Sequence, residues 1–302
     1  MKHTTWISIL AIATMLMTAC SILKTTVPSF TIPNSPSLVI TQRLPTPEHY
    51  PTAAVIQLPA PLPINEKIDL RYNKQELLDV FSPVSEGNWP VVIVLHGAGV
   101  NKISVGDLAR AIAGLGAVVF APSYDTMSGP ENFAVDVACV VRFGRAHAAQ
   151  YGGKGDRVIV VGHSLGALAG ALMMFAGDQF NGDCLTKKGS ALPDVEISLD
   201  GGFDPIPYAP TEICQSEPGV CLKMDPFTYI SQKPIRSGVR FVLLVGEWSD
   251  AQRNTQAFRD TLREAGYDVS LAQIPGLDHD EMAMPRPETL SAIQRELHPA
   301  AP

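Results

Sequence analysis

Val158-Ile159-Val160-Val161-Gly162-His163-Ser164-Leu165-Gly166-Ala167-Leu168-Ala169-Gly170 decides the fold of this chain. A β-branched run ends in Gly-x-Ser-x-Gly, and a Gly/Ala-rich run of helical character comes at once after it. This pattern predicts a nucleophile elbow, in which a strand turns sharply into a helix and holds a serine at the apex. The serine of such a turn sits in a strained conformation, so Gly162 and Gly166 must be small enough for strand and helix backbones to approach. The new helix starts beneath Ser164, so its free N–H groups and positive end face any oxyanion formed there. An ordinary βα turn is the bland alternative, and it leaves the context on both sides unexplained.

The neighbouring segments extend the pattern. Val91–Leu95 and Ala117–Ala121 are continuous apolar runs, the mark of strands buried on both faces, and Val195–Leu199, Arg240–Val245 and Val269–Ile274 read as further strands. Two strands precede them, from Ile68 to Phe81. Helical spacing fills the intervals at about 106–115, 131–150, 254–265 and 289–297, while Phe203 to Gly238 is a long excursion rich in Pro and Cys. Alternation of this kind predicts one α/β domain with a doubly wound, mostly parallel sheet and helices on both faces. Sites in such sheets gather at the carboxyl ends of the strands.

Two more groups are expected there. His96-Gly97-Ala98-Gly99 comes directly after the Val91–Leu95 strand, and a Gly-rich loop beside the elbow presents N–H donors to an oxyanion. The donors are assigned to the backbone of Ala98, Gly99 and Leu165, with His96 bracing the loop. A serine at neutral pH also needs a neighbour to take its proton, and histidine has the right pKa. His3 lies in the leader, His49 in a spacer, His147 on a helix, His163 inside the elbow and His298 in the tail. That leaves His279, directly after the last strand, as the base. The acid should fall between serine and histidine in chain order. Asp250 in Val245-Gly246-Glu247-Trp248-Ser249-Asp250 is the choice, Glu247 the near rival, and Asp200 and Asp204 the distant ones. Asp278 and Asp280 read as loop caps.

The ends carry different information. Lys2 precedes an apolar stretch, Trp6 to Met17, too short to span a bilayer, and Met17-Thr18-Ala19-Cys20 comes next. This resembles a bacterial lipoprotein signal peptide, which implies cleavage after residue 19, lipidation of Cys20 and anchoring of the exported chain to a membrane face outside the cytoplasm. Residues 20–64 hold nine prolines between Val27 and Ile64 and read as an extended tether, with the folded domain spanning 65–302. The formal charge of −7 argues against nucleic acid as a partner. Apart from Cys20, four cysteines remain, an even number that suits an oxidising compartment. Cys214 and Cys221 close a short loop and are expected to pair, which leaves Cys139 with Cys184. No C-x-x-C spacing supports a metal.

With Ser164, Asp250, His279 and the 96–99 loop in this order, the chain resembles the α/β-hydrolase superfamily from about Lys67 to Leu297. The 96–99 loop is similar to the His-Gly-Gly-Gly loop of lipases and esterases, with Ala98 in place of one glycine. Leu78-Asp79-Val80-Phe81-Ser82-Pro83, Asp156-Arg157-Val158 and Gly246-Glu247 resemble segments of small carboxylesterases of the arylformamidase and hormone-sensitive-lipase-like group. Trp248-Ser249 departs from that pattern by placing one more residue than usual before the acid. The resemblance implies a serine esterase that forms an acyl-enzyme on small-molecule esters without a cofactor, and a monomer is expected. A lipase or polyester hydrolase, an amidase or formamidase, and a catalytically silent surface-anchored binding module remain as alternatives. The 203–238 excursion is expected to build the acyl pocket.

Overall fold

A computed structural model of the chain describes residues 50–204, 216, 218–232, 234 and 236–299. The leader, Cys20, the tether up to residue 49 and Cys214 lie outside these residues. Eight strands form one sheet: β1 (Ile64–Arg71), β2 (Leu77–Pro83), β3 (Trp89–Leu95), β4 (Val118–Pro122), β5 (Gly153–His163), β6 (Val195–Leu199), β7 (Arg240–Gly246) and β8 (Asp268–Ile274). Their order is β1-β2-β4-β3-β5-β6-β7-β8. The β1–β2 and β2–β4 pairs are antiparallel, and every pair from β4 through β3 to β8 is parallel. The doubly wound, mostly parallel sheet expected from the sequence is therefore present.

The central strands are buried on both faces because helices cover both. Val91, Ile93 and Leu95 of β3 face one core with α2 (Pro130–His147), α3 (Leu165–Ala176) and the apolar side of a helix at Gln252–Glu264. Val92 and Val94 face the other, with α1 (Gly106–Gly114) and the last helix, Pro287–Leu297. The same period of two divides β4, β5 and β7 between the cores. A buried disulfide ties Cys139 of α2 to Cys184, with the Cα atoms 5.0 Å apart. Cys221 is also disulfide-bonded, while its expected partner Cys214 is outside the described residues.

Residues 50–63 differ from the expected tether. They form no helix or strand, yet they lie along the domain: Ala53 donates to the carbonyl of Gln273 at 2.8 Å and Gln273 to that of Pro51 at 2.9 Å. Leu62 donates to the carbonyl of Gly114 at 2.8 Å. A Pro-rich chain lacks most of its own backbone pairing, so a free sheet edge at β8 gives this stretch donors and acceptors it would otherwise find in water.

One strand breaks the apolar pattern. Glu196 and Ser198 of β6 point toward α3, both completely buried, and among the described residues neither carboxyl oxygen of Glu196 has a hydrogen-bond partner. Burial pushes the Glu196 carboxyl well above its ordinary range, so the folded protein holds it protonated. The unfolded chain ionises Glu196 once pH passes the ordinary glutamate value, so stability falls as pH rises from there toward the raised folded value. Glu196→Met removes both the trapped proton and the unpaired oxygens. Its melting temperature at pH 8 is expected to exceed the parent's by a few degrees, about 1 kcal/mol, with the advantage shrinking toward pH 4. A constant difference across pH in thermal melts would count against a buried neutral acid.

Candidate active site

The elbow forms as the sequence requires. β5 ends at His163, α3 begins at Leu165, and Ser164 between them has φ 55° and ψ −118°. A side chain at this φ is strained, and the close approach on both sides explains why it persists. A Cβ on Gly162 would stand 2.3 Å from the carbonyl oxygen of Gly166, and one on Gly166 would stand 2.6 Å from that of Leu95. Either substitution forces strand and helix apart. The N–H of Ser164 donates to the carbonyl of Leu199 at 3.1 Å, which sets the serine beside the end of β6.

The 96–99 loop continues from β3 on the other side of the elbow. His96 is fully buried, its ring stacks on Tyr124 with centroids 4.1 Å apart, and its Nδ1 donates to the carbonyl of Gly97 at 2.8 Å. Burial lowers its pKa to about 4, so His96 stays neutral and braces the loop, the role expected for it. Gly97 lies against the elbow, where an added Cβ would be 3.4 Å from that of Ser164. Gly99, at φ 71°, donates its N–H to Thr126 Oγ1 at 3.3 Å. One of the three expected oxyanion donors is therefore engaged by the loop after β4. Leu165 is the first residue of α3, and its N–H has no carbonyl one turn behind it.

The acid is the main correction. His279 Nδ1 donates to Asp200 Oδ2 at 2.5 Å, whereas Asp250 is exposed on the surface. Asp200 is the residue after β6, completely buried, with φ 56°. Its Oδ1 accepts the N–H of Gly246 at 3.0 Å, and Oδ2 also accepts the Ser249 hydroxyl. Burial alone would raise this carboxyl, but the bonds from His279, Ser249 and Gly246 outweigh it and hold Asp200 below its ordinary value. The reason Asp250 is displaced lies in the turn after β7. Ser249 donates its N–H back to the carbonyl of Gly246 at 3.3 Å, which turns Ser249 inward and leaves Asp250 facing solvent. Glu247 instead accepts the N–H of Gly276 at 2.7 Å and braces the base loop.

Contacts of the next few residues hold Asp200 in place. The N–H of Phe203 donates to Asn254 Oδ1 at 2.5 Å, Thr255 Oγ1 donates to the carbonyl of Gly201 at 3.2 Å, and Phe203 stacks on Phe258. His279 is held from a second direction by His163. The Nε2–H of His163 donates to the backbone carbonyl of His279 at 2.8 Å, and the rings lie 4.8 Å apart. Burial lowers the pKa of His163, while the bond to Asp200 raises that of His279. The two adjacent imidazoles are therefore shifted in opposite directions, His279 toward the protonated form. Asp278 Oδ1 caps the N–H of Glu281 at 3.0 Å, as a loop residue.

Sequence reasoning ranks Asp200 low and does not find roles for His163, Thr126 and Ser249. For Asp200 the available signal is its place directly after the strand beside the elbow strand. His163, Thr126 and Ser249 have none, because each acts through a contact distant in sequence. The described part of the excursion, Pro218–Met224 and Pro226–Ile230, buries Met224, Tyr229 and Ile230 in the core that contains α3. Residues 205–215, where an acyl pocket was also expected, lie outside the described residues.

Comparisons with known proteins agree on the architecture. A family model named BD-FAE matches residues 78–205, which include Ser164 and Asp200 and stop short of His279. No curated protein matches the chain. Among solved structures, esterase B from Lactobacillus rhamnosis HN001 aligns with TM-score 0.62 at 15% identity, covering 79% of this chain and 89% of that one. Esterase 2 of Thermogutta terrifontis, with butyrate bound, aligns with TM-score 0.61 at 15% identity over 75% of this chain and 92% of its own. A bifunctional GH43-CE protein from Bacteroides eggerthii aligns with TM-score 0.67 at 17% identity, over 77% of this chain and 38% of that one. The chain shares the α/β-hydrolase fold of these esterase structures.

Proposed function

We propose that the protein is a serine carboxylic ester hydrolase whose triad is Ser164, His279 and Asp200. The observation that carries this reading is the bond from His279 Nδ1 to the buried Asp200, formed beside an elbow serine at φ 55°. With Nδ1 donating to Asp200, the basic nitrogen of His279 is Nε2. His279 takes the proton of Ser164 as the oxygen attacks the ester carbonyl, and the imidazolium is stabilised by Asp200. The amides of Ala98 and Leu165 hold the oxyanion, while the Gly99 amide fixes the loop on Thr126. His279 then protonates the leaving alcohol, and water repeats the sequence on the acyl-enzyme. No step calls for a cofactor, and one monomer supplies every group.

The surroundings favour apolar esters over amides with charged groups. Val100, Met127, Trp248 and Met284 are 49, 79, 69 and 50% exposed and come after β3, β4, β7 and β8 at the carboxyl edge of the sheet. The strands they come after lie on both sides of the elbow strand in the sheet. A butyrate-bound relative of the same fold suits that reading. Across p-nitrophenyl esters of graded acyl length, kcat/KM is expected to exceed that on the matching anilides by orders of magnitude. A phosphonate ester should add its mass at Ser164 alone. Faster anilide cleavage would favour the amidase reading, and no labelling with no turnover would favour a silent binding module.

We further propose that Cys20 is lipidated and anchors the exported protein to a membrane face outside the cytoplasm. Lys2, the apolar stretch Trp6–Met17 and Ala19 before Cys20 support this, and the Cys139–Cys184 bond suits an oxidising compartment. Cys20→Ser should release the protein from the membrane fraction or leave it uncleaved. Unchanged fractionation with unchanged mass would overturn the anchor.

A further inference from the structure

We infer that Ser249 is a positioning residue of the proton relay: its hydroxyl clamps the Asp200 oxygen that also receives His279. The inference rests on the triad proposed above and adds a fourth member. Ser249 stands in the turn after β7, where the sequence pattern had placed the acid itself, and is 8% exposed. Its hydroxyl has one hydrogen. The N–H of Ala251 donates to Ser249 Oγ at 3.0 Å, so one lone pair is taken and the hydroxyl hydrogen is turned toward Asp200 Oδ2. That oxygen also accepts from His279 Nδ1 at 2.5 Å, and Oδ1 accepts from the Gly246 amide at 3.0 Å.

Three donors on one planar carboxylate leave it little freedom to rotate. Two of them, the Gly246 amide and the Ser249 hydroxyl, come from the same turn, so the end of β7 fixes an acid that the end of β6 supplies. The Ser249 bond also withdraws charge from the oxygen on which His279 depends. A carboxylate relieved of one donor becomes a stronger acceptor, and the imidazolium opposite it becomes more stable. The other groups facing His279 are His163 from the end of β5, and Asp278 and Asp280 from its own loop. None of these reaches Asp200 Oδ2 by a hydrogen bond among the described residues. Ser249 therefore sets both the orientation of Asp200 and the pH at which His279 becomes free to act as base.

The test is a pH–rate profile of the full chain on p-nitrophenyl butyrate. Ser249→Ala is expected to lower kcat about tenfold with KM within twofold. It should also move the acidic limb of kcat/KM upward by roughly half a unit. Ser249→Thr keeps the hydroxyl and is expected to return the limb to its parental position. In an Asp200→Asn background, Ser249→Ala should change neither limb nor rate, because the oxygen it acts on is gone. A parental limb in Ser249→Ala, or a full further loss in the double variant, would overturn the inference while leaving the triad intact. Circular dichroism and thermal melts exclude a folding defect as the cause of either rate change. Absence of ester hydrolysis by the parent would instead defeat the triad reading itself.

Discussion

Asp200→Asn is expected to lower kcat about 10⁴-fold with little change in KM, whereas Asp250→Asn should stay within a few-fold of the parent. The carboxylate of Asp200 can only accept, so it fixes His279 with its proton on Nδ1 and its lone pair on Nε2. An amide in its place can present an N–H to Nδ1. The proton then moves to Nε2, and the base has nothing left to offer Ser164. The pH profile supplies an independent readout. The bond to Asp200 raises the His279 pKa, so kcat/KM in the parent declines as pH falls through that raised value. In Asp200→Asn the bond to a charged acceptor is lost, and the residual activity should decline at lower pH than in the parent. Asp250 has no such contact: it is exposed beyond a turn whose inward residue is Ser249. A larger loss in Asp250→Asn than in Asp200→Asn, measured by steady-state kinetics, would show that the triad has been drawn on the wrong strand.

Ser164→Ala should reduce kcat by about 10⁵ to 10⁶, leaving only what binding and the loop amides give to direct attack by water. In the proposed mechanism the hydroxyl is the nucleophile, and among the residues beside the elbow no other side chain takes its place: His96 is buried and braced on Gly97, and His163 is committed to the carbonyl of His279. The fold should survive, since the elbow's geometry rests on Gly162 and Gly166 and on the bond from the Ser164 amide to Leu199, none of which the substitution touches. The melting temperature and circular dichroism of Ser164→Ala should match the parent's, and mass addition by the phosphonate should vanish. Activity within tenfold of the parent would remove the serine mechanism. Equal losses in Ser164→Ala and the Asp200→Asn, Ser164→Ala double variant are expected, because the relay serves only this oxygen.

The sequence by itself determined the order of strands and helices and the elbow, and it singled out His279 as the candidate base. Each of these rests on local physics. The runs Val91–Leu95 and Val158–Val161 can be buried only as strands covered on both faces, Gly-x-Ser-x-Gly can turn only where backbones meet, and elimination among seven histidines left His279. Other matters were decided by tertiary structure. Asp200, Glu247 and Asp250 all come after strands at the same edge of the sheet, and spacing alone cannot say which of them faces inward. That choice falls to the turn after β7, where the bond from Ser249 to Gly246 and the hydroxyl on Asp200 turn one residue in and the next one out. The same limit applies to Glu196, whose alternation with Val195 and Ile197 reads as a strand with one wet face until α3 covers it. It applies also to residues 50–63, whose prolines forbid regular structure yet leave open whether the chain hangs free or pairs with the edge of β8. Periodicity reports how a residue sits on its own element. Which element comes to lie against it depends on contacts between residues far apart in the chain, such as those of Ser249 with Asp200 and Ala53 with Gln273, and only the folded sheet brings these together.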